Sequence, residues 1–189
     1  FETALVAQIF GAVIFVVNGI GIAMTRELGP LMTAILFAGR SGSAFAAQLG
    51  TQKVNEELNA LTTFGLSPMY FLVVPRLIAS SLVVPLLSVF ATILGILGGG
   101  LVMAMYDITY TQFYVQLLKS VTVTDIVFGL VKAVIFGFVI ALIGCQCGMN
   151  TGAGAAAVGS STTKSVVKSI IWIVVIDGAA ALLTNRLGI

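Results

Sequence analysis

The run Ile126–Gly148, IVFGLVKAVIFGFVIALIGCQCG, carries a single charged side chain, Lys132, in a row of branched aliphatic, aromatic and small residues. Coiled as an α-helix at ~1.5 Å per residue, it is long enough to cross a ~30 Å hydrocarbon core. A backbone in such a core must satisfy its own hydrogen bonds, and a helix does so within one segment. This run is therefore read as a membrane span. Three more have the same character: Ala12 to Gln48, Val74 to Tyr106, and Val166 to Leu187.

Composition agrees. Of 189 residues, 59% are hydrophobic and 8% charged, with a mean hydropathy of +1.13. A soluble domain carries about 25% charged residues, so this chain cannot cover a water-facing globule of its size. An ordinary soluble enzyme is excluded. The chain has no His, which removes the commonest general base and the commonest metal ligand. Cys145 and Cys147 are too close for a loop-closing disulfide and too few for zinc, so no metal site is expected. A net charge of +2 leaves no nucleic-acid footprint. The opening stretch, Phe1 to Phe10, is apolar, too short to span, and lacks a basic flank, so it is not a signal peptide. It reads as the tail of a truncated first span. The expected fold is all-α: a polytopic membrane helical bundle, one domain over residues 1–189, with four complete spans besides that tail.

The first complete run is on the order of 55 Å long, more than a bilayer core needs. It must tilt, kink near Gly29-Pro30, or protrude. Polar connections fall at Gly50 to Pro68, Asp107 to Asp125, and Asn150 to Ser165; the first and last share a side. Lys and Arg concentrate there (Arg40, Lys53, Arg76, Lys164, Lys168), against Lys119 and Arg186 opposite, which places the Gly50–Pro68 loop in the cytoplasm. Within that loop, Thr51 is a candidate cap. Val54, Leu58 and Leu61 recur at helical spacing, and Ser67-Pro68 ends the pattern. Lys53, Glu56 and Glu57 take the wet face. A short amphipathic helix of this kind either lies at the membrane interface or docks a cytoplasmic partner.

Away from the span ends, four charges are singled out: Arg26, Glu27, Lys132 and Asp177. Each is costly there unless it is paired or faces a wet cavity. Adjacent helical residues project about 100° apart, so Arg26 and Glu27 cannot satisfy each other on one face. Two readings stand. In one, these are ion pairs between helices, Arg26 with Asp177 or Glu27 with Lys132. In the other, they grip an anionic headgroup or relay protons. Lys164 and Lys168 are snorkelling anchors. Small residues repeat every four positions as Gly39, Ser43, Ala47, as Gly42, Ala46, Gly50, and as Gly95, Gly99, a pattern that lets helices approach closely in lipid. Gly154 to Ser161 has the glycines of a phosphate loop, but Ser160 stands where the Lys belongs and no strand precedes it; a flexible turn explains it. The Cys145-Gln146-Cys147 pair reads as inert packing.

The stretches RELGPLMTAILFAGRSGSAFAAQLGTQKVNEELNAL (Arg26 to Leu61), GLSPMYFLVVPRLIA (Gly65 to Ala79) and GSSTTKSVVKSIIWIVVIDG (Gly159 to Gly178) resemble, in colinear order, the MlaE/YrbE family of ABC-transporter permeases. That resemblance implies an inner (plasma) membrane permease acting as a homodimer with two copies of a cytoplasmic ABC ATPase. ATP and Mg would sit in the ATPase, leaving this chain without a cofactor. The cargo would be phospholipid or a related lipid, exchanged with an extracytoplasmic Mce-type carrier. The intact protein would have five spans, with Phe10-Gly11-Ala12 as an outer turn. The Val54–Leu66 helix would be the coupling helix, with Glu56, Glu57, Leu58, Leu61 and Gly65 matching its motif and Lys53 beside it. Arg26 and Glu27 match a charged pair near the lipid cavity. Gln48 and Asn59 depart from the family, standing where many relatives are acidic. The competing class is a secondary transporter or channel with an ion path through Arg26, Glu27, Lys132 and Asp177. Such proteins often carry internal repeats, and none is evident between the two halves. An intramembrane enzyme fits least, since the chain lacks His and shows no paired catalytic carboxylates in register.

Overall fold

A computed structural model describes residues 13–106 and 108–187. The apolar start (residues 1–10) and the turn at Phe10–Ala12 lie outside the described residues. Helices α1 (Val13–Ile22), α2 (Gly29–Phe37) and α3 (Ser43–Val54) are joined by two wide, π-type turns, Ala23–Leu28 and Ala38–Gly42. The flanking residues Ile22, Gly29, Phe37 and Ser43 all keep right-handed helical angles, so the three helices form one rod. Pro30 explains the first widening. It lacks an N–H, and in a regular helix its ring would strike the carbonyl of Arg26. A wide turn just upstream takes up that mismatch. The rod also outruns its expected end at Gln48 and continues to Val54.

A corner at Asn55-Glu56 follows, then α4 (Glu57–Thr63). Thr51 is therefore not a cap: it lies inside α3, where its Oγ1 donates to the Ala47 carbonyl at 2.9 Å. The break belongs to Glu56, whose φ of 62° is left-handed and turns the chain. At the far end of α4, the Gly65 N–H donates to the Thr62 carbonyl and the Leu66 N–H to the Leu61 carbonyl, both at 3.0 Å. That paired closure requires a left-handed residue at Gly65, whose φ is 76°. The short helix is thus Glu57–Thr63, tighter than the Val54–Leu66 expectation, with its C-terminal stop two residues before Ser67-Pro68.

A third wide turn, Met69–Val73, leads into α5 (Val74–Ala104), followed by α6 (Tyr110–Ser120), α7 (Val123–Met149) and α8 (Ala155–Leu187). No strand occurs among the described residues. Four helical stretches are long and apolar enough to cross a membrane: Phe15–Val54, Met69–Ala104, Val123–Met149 and Ala155–Thr184. Two connections differ from expectation. The Asp107–Asp125 link holds α6, opened by a reciprocal capping box between Thr109 and Gln112. The Asn150–Ser165 link is mostly helix, because α8 starts at Ala155 directly after Gly154 (φ 88°), so the glycine-rich turn is only a few residues long.

Helix α7 is the hub, packing on α3, α5 and α8. Its small residues make this possible. A Cβ on Gly137 would sit 2.5 Å from the Ser80 carbonyl oxygen, and one on Gly144 2.7 Å from that of Gly42. With Ala133 and Ala141 fully buried between them, these positions form a smooth face against which other backbones lie. The expected stripes divide. Gly42, Ala46 and Gly50 are buried against α7 and Thr151, while Gly95 and Gly99 receive Met24 and Ile20. Gly39 has open space around it, and Ser43 and Ala47 are only half-buried. The buried face of α8 carries a serine stripe, Ser161, Ser165 and Ser169, continued by Ile173 in the core. Ser161 accepts from Thr151 Oγ1 at 2.9 Å, and Ser165 Oγ donates to the Gly42 carbonyl at 3.2 Å.

The two ends of the bundle are tied separately. At one end, Lys53 Nζ donates to the Met149 carbonyl at 2.8 Å, joining the end of the rod to the end of α7. At the other, α6 packs on α1: Phe113 is buried with Val17 and Met103, and Gln116 Nε2 donates to Asn18 Oδ1 at 2.8 Å.

Candidate functional site

The first wide turn carries Arg26 and Glu27, and both side chains reach α7. Arg26 Nη1 lies 3.4 Å from Asp125 Oδ1, and Glu27 Oε2 lies 2.5 Å from Lys132 Nζ. Lys132 also meets Asp177 Oδ1 of α8 at 2.8 Å. That last approach is an ion contact without hydrogen-bond alignment. Phe128 lies between the two cations, with Arg26 Cζ 5.1 Å and Lys132 Nζ 5.8 Å from its ring centroid. Five charged side chains from the rod, α7 and α8 thus form one cluster. All four residues singled out in the spans belong to it.

One alternative for their pairing is corrected. Arg26 does not pair with Asp177. It meets Asp125, while Asp177 shares Lys132 with Glu27. Asp125 was missed because it was read as the end of a polar connection. It closes the N-terminus of α7, accepting from the Thr122 N–H at 3.0 Å and from Thr122 Oγ1 at 2.7 Å. The Thr122-x-x-Asp125 spacing is the signal that could have found it.

Exposure sorts the members. The Lys132 side chain is only 2% exposed, whereas Glu27 retains 34%. An ammonium so enclosed acts as the neutralising centre of its two carboxylates. Glu27 is the most exposed member of the cluster. Elsewhere along the rod, Thr25, Pro30 and Gly129 help line an apolar cavity of about 300 Å³ with Ile93, Leu117 and Leu130. Two of its three hydroxyl groups are spent on backbone carbonyls: Ser88 Oγ donates to Pro85 and Thr92 Oγ1 to Met24. The cavity therefore offers greasy walls, and none of the five charged side chains lines it.

The opposite end presents α4. Leu58 is buried and Leu61 half-buried, while Lys53, Glu56, Glu57 and Gly65 are exposed. Glu56 accepts a short hydrogen bond from Asn59 Nδ2, which steadies the corner. Phe64, Tyr70 and Phe71, which follow in the chain, are exposed as well. Among the described residues no group of His, Cys, Asp or Glu could hold a metal ion.

Four spanning helices around an internal charge network define a multi-pass helical membrane protein. The family model described as Permease MlaE matches residues 1–183, and the chain belongs to that permease family. It is 40% identical over 165 residues to a probable ABC transporter permease of Synechocystis, covering 87% of this chain and 63% of the relative. A probable ABC transporter permease of Rickettsia typhi is 38% identical over 156 residues, covering 82% of this chain and 60% of the relative. The chloroplastic protein TRIGALACTOSYLDIACYLGLYCEROL 1 of Arabidopsis thaliana is 38% identical over 159 residues, covering 84% of this chain and 45% of the relative. The chain spans about three fifths of the length of the bacterial relatives it matches.

Proposed function

We propose that this chain is the membrane subunit of an ABC transporter that moves phospholipids or related lipids between an inner (plasma) membrane and an extracytoplasmic Mce-type carrier. It works as a homodimer, with energy from a separate cytoplasmic ATPase that holds ATP and Mg. The observation that carries this reading is that one permease-family bundle holds both an apolar cavity and, on the same rod, the partly open carboxylate of Glu27. A lipid needs that combination: apolar walls for acyl chains and a polar contact for the headgroup. The Arabidopsis relative, whose name is that of a galactosylated diacylglycerol, supports a glycerolipid cargo.

In this reading α4 is the coupling element. It is rooted in the rod through Glu56 and in α5 through Met69–Val73, so a push on α4 reaches two spans at once. The exposed acids and aromatics around it are the surface offered to the ATPase.

The test is co-purification and transport with the complete protein in its own membrane. A tagged chain should retain an ATPase subunit, and Leu61→Asp should lose it while the chain still inserts. Glu27→Ala should keep the ATPase yet slow lipid transfer between membrane and carrier. Absence of any ATPase, or labelling of a thiol at position 57 from outside intact cells, would overturn the assignment. Lipid or ion flux that proceeds without ATP would favour the secondary-transporter class instead.

A further inference from the structure

Arg40 is a cation of the same rod that the cluster does not include. It lies in the second wide turn of the rod, exposed, and makes no ion pair or hydrogen bond among the described residues. The other buried-region arginines behave differently: Arg26 meets Asp125, and Arg76 covers the Phe45 ring at 5.6 Å and points Nη1 at the Phe45 carbonyl. Beside Arg40 and Ser41, a groove of about 430 Å³ runs between the rod and α5. Its walls are Leu36, Phe37, Val83, Leu87, Phe90 and Leu94. Thr33, at the groove's base, spends its hydroxyl on the Gly29 carbonyl, so the floor is apolar too.

Depth fixes what such a pair of features suits. The rod's spanning stretch, Phe15–Val54, is centred near residue 35. A ~30 Å core centred there takes roughly 20 helical residues and ends near Phe45. Arg40 then lies about 8 Å inside the boundary nearest α4. A snorkelling arginine extends from that depth toward the boundary, where the lipid phosphates lie, rather than toward the bilayer centre. The groove leads from this cation toward the bilayer middle.

We propose that Arg40 and this groove hold one anionic phospholipid of the leaflet nearest α4, its phosphate on the guanidinium and one acyl chain lying along Leu87, Phe90 and Leu94. The site is separate from the Glu27 cluster, which lies nearer the other face. It depends on membrane placement alone, not on transport or on a motor subunit.

The experiment uses the full chain in vesicles of phosphatidylcholine, with spin-labelled phosphatidylglycerol or phosphatidylcholine as probe, and no ATP. The parent should hold phosphatidylglycerol more tightly. Arg40→Gln should cut that preference about fivefold, the weight of one basic residue at an anionic surface. Arg40→Lys should keep most of it. Leu87→Trp, which fills the groove, should weaken immobilisation of both probes. An unchanged preference in Arg40→Gln would overturn the site. So would displacement of the phosphatidylglycerol probe by millimolar inorganic phosphate, which would mark a bare anion site. So would loss of chain–chain association in Arg40→Gln on size exclusion, because a second copy would then be what covers Arg40. None of these outcomes bears on whether the chain transports lipid, so the two readings fail separately.

Discussion

Replacing Lys132 with Met tests whether the cluster is held by one ammonium. Met fills a similar volume but leaves Glu27 and Asp177 facing each other without a cation. Breaking a fully buried pair by removing one partner costs about 3–5 kcal/mol. Glu27 retains 34% exposure and Asp177 20%, so part of the stranded charge is hydrated and the expected loss is nearer 3 kcal/mol. For a chain of this size that lowers the melting midpoint by roughly 6–12 °C. Unfolding in detergent, followed through the single Trp172 of α8, reads it directly. Asp177→Asn in the Lys132→Met background should restore about half of the loss, since the remaining acid is the one that reaches solvent. A Glu27→Gln, Lys132→Met, Asp177→Asn variant should melt close to the parent. A Lys132→Met midpoint within about 2 °C of the parent, or a triple variant no better than the single, would refute the idea of a shared counter-ion.

Gly137→Leu should destabilise strongly, because even its Cβ meets the Ser80 carbonyl at 2.5 Å, whereas Gly39→Ala, with open space around it, should leave the midpoint unchanged; parallel thermal unfolding decides. Thr122→Ala removes a cap acceptor for the Asp125 N–H and a donor to its carboxylate, and should cost about 1 kcal/mol, read as a midpoint shift of a few degrees. Gly65→Ala forces a side chain into φ 76° and should cost about 1 kcal/mol locally, seen as faster amide exchange in α4 with the spans unaffected.

The span pattern was legible because lipid imposes it: an uninterrupted apolar run has no other comfortable conformation. What the runs could not give was how their ends are trimmed. Two helical beginnings, at Ala155 and Tyr110, were hidden for different reasons. Residues 155–165 are small and polar, which reads as a turn, yet Ser161 and Ser165 are polar on the inside, where backbone carbonyls and Thr151 receive them. Helix α6 is too short to span and too polar to score as membrane, so only its Thr109-x-x-Gln112 capping box announced it. The four intramembrane charges were visible as anomalies in sequence. Their pairing was not, because Asp125 sits at a helix start where acids are ordinary, and because a widened turn, not a regular helix, sets the directions of Arg26 and Glu27. The Gly129, Ala133, Gly137, Ala141 repeat was as regular as the stripes that were noticed and turned out to mark the most buried helix.

The two wide turns of the rod share a logic. Each carries an arginine, and each interrupts a helix otherwise straight enough to carry force from α4 to the far face. A regular helix places i and i+4 on one side and would bury either Arg26 or Glu27 against lipid. Widening the turn lets both acid and base face α7, so the helix keeps two charges in the membrane without facing either into hydrocarbon. The same widening at Ala38–Gly42 has no protein acid opposite it among the described residues. Its arginine is thus left facing outward, at a depth where the nearest abundant anion is a lipid phosphate. One backbone device, used twice, therefore yields an internal ion network where the partner is protein and a surface cation where the partner is the membrane itself.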